Sequence, residues 1–261
     1  MTRVLIDGRA LYDGNRFRGI GVYLRQLVEH MQPPPGLDVS VMVTSDTALP
    51  AGFRAEHVSR RLSNRFAGLE HRLRLPGDLR GLSFDVYHSP SQEPPGRMNR
   101  PWLQTLHAVD DHPSLVAEQE RWRKLAPRIR SAAAVIVATN HARDGVVDLL
   151  GLDADRVHVV PHGVDSRFQP EPSMRDDSEP YVLYVGEYGP WKGYAEAFEV
   201  AANLRAAGLP HRLKVVGQLA PWVRPVVDEL LATSAAPDRI DLLGDLAQDD
   251  LARVYQGASA L

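Results

Sequence analysis

The stretch Tyr181-Val-Leu-Tyr-Val-Gly-Glu-Tyr-Gly-Pro-Trp-Lys-Gly-Tyr194 decides the fold class. Its first five residues, Tyr181 to Val185, are apolar or aromatic β-formers, and the run stops at Gly186. A loop holding Gly189 and Gly193 follows, and then a helix-forming run from Ala195 to Ala207. Strand, glycine loop and helix in that order make an anion site. The backbone can come close at glycine, the helix start has unpaired N–H groups, and Lys192 adds a full positive charge. The spacing is neither the G-x-G-x-x-G dinucleotide fingerprint nor a G-x-x-x-x-G-K-[ST] loop. Turns of this kind also occur without a ligand, so the stretch alone leaves a phosphate site and a plain α/β turn both open.

The same alternation runs outward in both directions. Upstream, strands are expected at 3–7, 39–44, 85–88, 102–106, 133–138 and 157–160. Helices are expected at 22–31, from the cap Ser114 onward, and at 141–150 with Asn140 as cap. Pro33-Pro-Pro35 ends the first helix. The Pro-, Ser- and acid-rich stretch from Phe168 to Pro180 breaks the rhythm. Beyond it, strands at 181–185, 211–216 and 239–243 alternate with helices at 195–207, 223–233 and 248–257. This pattern implies an α/β protein of two parallel-sheet, Rossmann-like domains: 1–168, a linker at 169–180, and 181–261. Gly19–Gly21, His88, His107 and Gly186–Lys192 each follow a strand, where such sheets bind ligands. They are expected to converge on one cleft.

Composition narrows the function classes. The 261 residues carry a formal charge of −3, which argues against generic nucleic-acid binding. Without cysteine there is no disulfide, thiolate metal site or thiol nucleophile, and a reducing cytoplasm is compatible. The start, Met1-Thr-Arg-Val-Leu-Ile-Asp7, turns polar too soon for a signal peptide. No apolar run approaches the roughly 20 residues of a membrane span. Charge is uneven, however. Seven arginines lie between Arg54 and Arg80, interleaved with Leu62, Phe66, Leu69, Leu73 and Leu75. That spacing reads as an amphipathic helix packed on its own domain, or as a weak contact with an anionic membrane surface.

Five segments together resemble the family 4 (group 1) retaining glycosyltransferases of the GT-B fold. Arg18-Gly-Ile-Gly-Val-Tyr23 looks like the "GGIGRY" loop, and Gln104-Thr-Leu-His107 like the "T-x-H-D" strand end. Val160-Pro-His-Gly-Val-Asp165 is similar to "P-N-G-V-D". Tyr184 to Gly193 resembles "Y-V-G-x-x-x-x-R-K-N/G", and Gly244 to Ala258 the family's "G-x-v-x-d-e-x-L-x-x-l-Y-x-x-A". The resemblance implies transfer of a hexose from a nucleotide diphosphate sugar to a glycan or lipid-linked acceptor, with retention of configuration. It implies no cofactor beyond that donor and no metal, a cytoplasmic or peripheral location, and a step of polysaccharide biosynthesis.

The resemblance also assigns roles. Gly19 and Gly21 would lie against the donor diphosphate and sugar, with Gly186 and Lys192 on the diphosphate. Lys192 would neutralise the leaving group in place of a divalent cation. His107 would sit beside the transferred sugar as the catalytic group. Tyr23, His88 and Asp110 are candidate sugar or acceptor contacts, and His162, where the family has Asn, reads as structural. Several positions depart from the pattern. Glu187 and Trp191 stand where the family places an arginine, and Ala108 replaces the Asp of "H-D". The family's closing E-x₇-E segment is absent, so the second domain is expected to be incomplete and the chain by itself inactive. Those departures keep open a non-catalytic nucleotide-sugar-binding module, and the fold is shared with sugar-nucleotide epimerases.

Overall fold

The computed structural model describes residues 1–12, 19–43, 49, 53–58, 75–91, 93–107, 116–176, 178–186, 192–219, 221 and 223–261. It divides into two compact units, Met1–Gly163 and Val164–Leu261. In the first, the described strands are β1 (Thr2–Asp7), β2 (Leu37–Val43), β3 (Arg54–His57), β4 (Val86–Ser89), β5 (Trp102–Thr105), β6 (Ala134–Val137) and β7 (Val157–Val159). They pair in parallel in the order β3-β2-β1-β4-β5-β6-β7. The chain moves outward one way from β1 to β3 and the other way from β4 to β7. The switch point therefore lies between β1 and β4.

The central strands are apolar on both faces because both faces are covered. Alternation along β1 sends Leu5 into a cluster with Tyr87, Trp102, Trp122 and Ile129, and Ile6 into a second with Leu24, Val28 and Val41. Leu24 and Val28 sit four apart on α1 (Gly19–His30), so one stripe of that helix faces the sheet. Burying each such side chain contributes about 1.5–3 kcal/mol. Trp122 and Ile129 come from α2 (Val116–Ile129) on the opposite face. The next helix, α3 (Asn140–Leu150), starts one residue earlier than the sequence suggests. Thr139 is extended, and its side chain accepts from the Ala142 N–H, so Thr139 and not Asn140 is the cap.

The segment 54–80 corrects a sequence expectation. Residues 54–57 form an edge strand and 75–81 helical turns; residues 59–74 lie outside the described residues. The tetrapeptide Arg-Ala-Glu-His has no strand pattern of its own and takes its conformation from pairing with Ser40–Val43. Arg54 meets Asp38 at 3.7 Å and Glu56 at 3.0 Å, placing charge along an exposed sheet edge.

The second unit holds β8 (Tyr181–Val185), β9 (Arg212–Val216) and β10 (Ile240–Gly244), parallel in the order β10-β9-β8. The helices α4 (Tyr194–Ala206), α5 (Arg224–Thr233) and α6 (Gln248–Gly257) alternate with them. Residues 164–180 belong to this unit. Phe168 meets Tyr255 edge-on, and Gln256 donates to the carbonyls of Arg167 and Gln169. After α6 the chain returns to β8 and not to β10: Ser259 N–H donates to Tyr181 O, and Leu183 N–H to Ala260 O, both at 2.9 Å. This unit too reverses direction at its first strand, just before Gly186. Both units are thus Rossmann-like parallel α/β layers of the GT-B kind.

Candidate functional site

The carboxyl ends of β1, β4 and β5 gather the polar groups of the first unit. Asp7 ends β1 with its carboxylate fully enclosed. It accepts from the Arg9 backbone N–H at 3.1 Å, from Arg9 Nε at 2.8 and 2.9 Å, from Arg9 Nη2, and from the Tyr87 hydroxyl at 2.8 Å. Arg9 reaches on toward Ser91 Oγ at 3.4 Å. Desolvation opposes the Arg9 charge, but Asp7 outweighs it and holds the guanidinium pKa above its ordinary value. Gly8 must be glycine here, since a Cβ would lie 2.4 Å from Met42 O and 2.8 Å from Val41 Cγ1. Sequence reading passed over Asp7, Arg9 and Tyr87; the signal was a carboxylate ending an apolar strand directly before a glycine.

Beside this network stand three aromatic rings. Tyr23, from the second turn of α1, meets His107 edge-on at 4.7 Å and His162 at 5.1 Å. His107 and His162 stack with centroids 6.0 Å apart. His162, expected to be structural, is exposed and joins the same group. His107 Nε2 lies 2.8 Å from the Pro90 carbonyl, so it is the protonated nitrogen and Nδ1 is the acceptor. Burial lowers the His107 pKa, against the bond to Pro90, with His162 adding to the depression. The neutral form therefore prevails at pH 7. His88 is more deeply buried, and desolvation brings it down to about 4. Its Nε2 contacts Thr105 Oγ1 at 2.8 Å. Burial raises the Tyr23 phenol above its usual range, partly offset by a hydrogen bond to Thr105.

The expected site residues divide between the units. Gly19 opens α1, with open space where a Cβ would be, and Gly21 is buried two residues on. With Tyr23, His88 and His107 they lie in the first unit. Gly186 and Lys192 lie in the second. Gly186 N–H still bonds Val216 O, and a Cβ there would press on the Tyr184 hydroxyl at 3.1 Å. That hydroxyl donates to Lys192 O at 3.0 Å, tying the loop's return to β8. Gly193 follows with φ +69, a conformation that favours glycine, and leaves the start of α4 without a side-chain cap. The Lys192 side chain is exposed. Asp110, Ala108, Glu187 and Trp191 lie outside the described residues. Among the described residues no three His, Asp or Glu side chains group as metal ligands.

The profile of Glycosyltransferase Family 4 matches residues 17–168, more than half of the chain and including α1, His88, His107 and His162. The chain belongs to glycosyltransferase family 4. Among similar proteins, the α-D-kanosaminyltransferase of Streptomyces kanamyceticus is 28% identical over 155 residues. That match covers 54% of this chain and only 40% of the relative's length. HepE of Anabaena, solved with UDP and glucose, has the same fold with a TM-score of 0.67 at 15% identity, over 97% of this chain and 71% of HepE. A UDP-forming α,α-trehalose-phosphate synthase from Burkholderia xenovorans gives 0.62 at 12% identity, over 98% and 77%. The family 4 profile thus spans the whole ring group and the loop after β4. Among the described residues no helix is long and apolar enough to cross a membrane.

Proposed function

We propose that this chain is part of a glycosyltransferase that moves a hexose from a nucleotide diphosphate sugar to a glycan or lipid-linked acceptor. The observation that carries the reading is His107. It is neutral, held as the Nε2–H tautomer by Pro90, and set in a ring group at the carboxyl end of β5. A neutral imidazole with a free acceptor nitrogen takes a hydrogen bond from a sugar hydroxyl without adding charge near a forming oxocarbenium ion. Retention of configuration, independence of metal, and Gly19, Gly21, Gly186 and Lys192 as the diphosphate contacts belong to the same proposal. Lys192 neutralises the departing diphosphate, as a fixed cation can. Tyr23 and His88 support the sugar or acceptor side, with Asp110 assigned there by its motif alone. The arginine-rich segment 54–80 gives weak, salt-sensitive association with anionic vesicles, and the reaction belongs to polysaccharide assembly on the cytoplasmic face of the membrane.

UDP, the nucleotide bound in HepE, is the probe. Lys192→Ala is expected to weaken UDP binding by about 1.5–3 kcal/mol, the scale of a charge-assisted contact. His107→Ala is expected to leave UDP affinity in place and to lower the affinity for a UDP-hexose relative to UDP. Titration calorimetry reads both. Equal UDP affinity in the Lys192→Ala protein and the unaltered chain would sink the diphosphate assignment.

A further inference from the structure

The loop that leaves β4, Ser89 to Glu93, is fastened to β5 at two successive carbonyls. His107 Nε2 donates to Pro90 O at 2.8 Å, and Gln104 Nε2 donates to Ser91 O at 2.5 Å. Gln104 Nε2 also donates to its neighbour's carbonyl, Thr105 O, at 3.1 Å. These partners fix the amide's orientation, since exchanging its oxygen and nitrogen would press an oxygen against two carbonyl oxygens. At its far end the loop closes on itself. Ser91 Oγ donates to Glu93 O at 3.1 Å, Glu93 N–H returns to Ser91 Oγ at 3.3 Å, and Glu93 pairs with Arg121 at 2.5 Å. Gln104 and His107 thus provide its ties to the strand.

Gln104 is an expensive choice for that place. It is wholly buried, two residues from Trp102 in β5 and two from Leu106 just past the strand's end, and both neighbours belong to an apolar cluster. Among the described residues its enclosed Oε1 meets no hydrogen-bond donor. A half-satisfied amide in such a layer is less stable than an apolar side chain of the same length. What the amide provides is its two donated bonds.

We propose that Gln104 is a positioning residue for His107. By holding the Ser91 carbonyl it fixes the adjoining Pro90 carbonyl, and that carbonyl fixes His107 as the Nε2–H tautomer with Nδ1 as acceptor. The consequence for catalysis rests on the reading of His107 as the sugar contact. In the right tautomer Nδ1 accepts a hydroxyl hydrogen; in the other it presents an N–H at the same point.

Long-range ¹H–¹⁵N correlation of the imidazole rings reads the tautomer without any activity. In the unaltered protein His107 is a single Nε2–H species. In Gln104→Met both tautomers are populated, the His162 pattern stays as it was, and melting moves by no more than a few degrees. A purely structural amide gives the reverse: a lower melting temperature with one tautomer kept, which overturns the proposal. In the same variant the preference for UDP-glucose over UDP falls about three- to tenfold, the worth of one neutral hydrogen bond. Mixed tautomers with that preference intact uphold the positioning and count against the sugar contact instead. Should Gln104→Met not fold, the unaltered protein decides. A Gln104 side-chain amide exchanging as fast as an exposed one, or His107 found as Nδ1–H, overturns the inference.

Discussion

The buried pair Asp7–Tyr87 is open to a double-mutant cycle whose size follows from the contacts. The Asp7 carboxylate accepts the Tyr87 hydroxyl at 2.8 Å and three side-chain bonds from Arg9, and both Asp7 and Tyr87 are essentially unexposed. Tyr87→Phe removes one bond to a charged group that keeps its Arg9 partner, so it should cost about 1–2 kcal/mol. Asp7→Ala does more, because it leaves a guanidinium and a phenol behind. Losing one partner of a buried ion pair costs about 3–5 kcal/mol, and an orphaned hydroxyl adds about 1–3 kcal/mol. Arg9 keeps 20% of its side chain exposed and can recover some hydration, so a total of about 3–6 kcal/mol is expected. In Asp7→Ala/Tyr87→Phe the orphaned hydroxyl is gone. The bond that Tyr87→Phe removes is also no longer there to lose, so the double variant should lose at least about 2 kcal/mol less than the sum of the singles. Urea unfolding followed by circular dichroism gives the four stabilities. Amide exchange in β1 and β4 assigns the transition to the first unit. Singles that add to within about 0.5 kcal/mol would refute the coupled network.

Two further outcomes come from the same region. Burial holds the His88 pKa at about 4, below the ordinary 6.5, so the unfolded chain binds the proton first as pH falls. Its contribution is complete above the unfolded value and is lost toward the folded one, about 3 kcal/mol in all. Unfolding free energies at pH 7.5 and 4.5 should thus differ less in His88→Gln than in the unaltered protein, and equal differences would count against a buried neutral His88. Gly8→Ala would set a methyl 2.4 Å from the Met42 carbonyl and push β1 from β2. A loss of about 2–3 kcal/mol in urea unfolding is expected, at the upper end of overpacking costs. A loss below about 0.5 kcal/mol would mean that the strands yield freely.

Much of the α/β layout was legible because each element carried its own signal. Tyr181 to Val185 ends at glycine, Leu24 and Val28 keep helical spacing, and Pro33–Pro35 stops a helix wherever it lies. Two features escaped for the opposite reason. Arg54–His57 has no intrinsic strand signal and becomes a strand only beside β2. The cap of α3 went to Thr139 rather than Asn140 because the backbone is already helical at Asn140. Both residue types cap well, so one residue of register is settled by the packed helix and not by propensity.

The sequence by itself determined the α/β class, the alternation on both sides of residues 168–180, and the candidates His107, Tyr23, Gly186 and Lys192. These follow from periodicity, glycine placement and motif, all of which are local or ordered along one line. Only the tertiary structure decided which of them meet. His107 and His162 are 55 positions apart in the chain, yet their rings stack, and Tyr23 comes from a third element to close the group. Asp7 and Tyr87, the Gln104 amide and the Ser91 carbonyl, and the tautomer of His107 depend on strand order. Parallel pairing sets β1 beside β4 and β4 beside β5. Burial then makes each unmatched donor or acceptor costly. A linear pattern carries neither the neighbour across the sheet nor that cost.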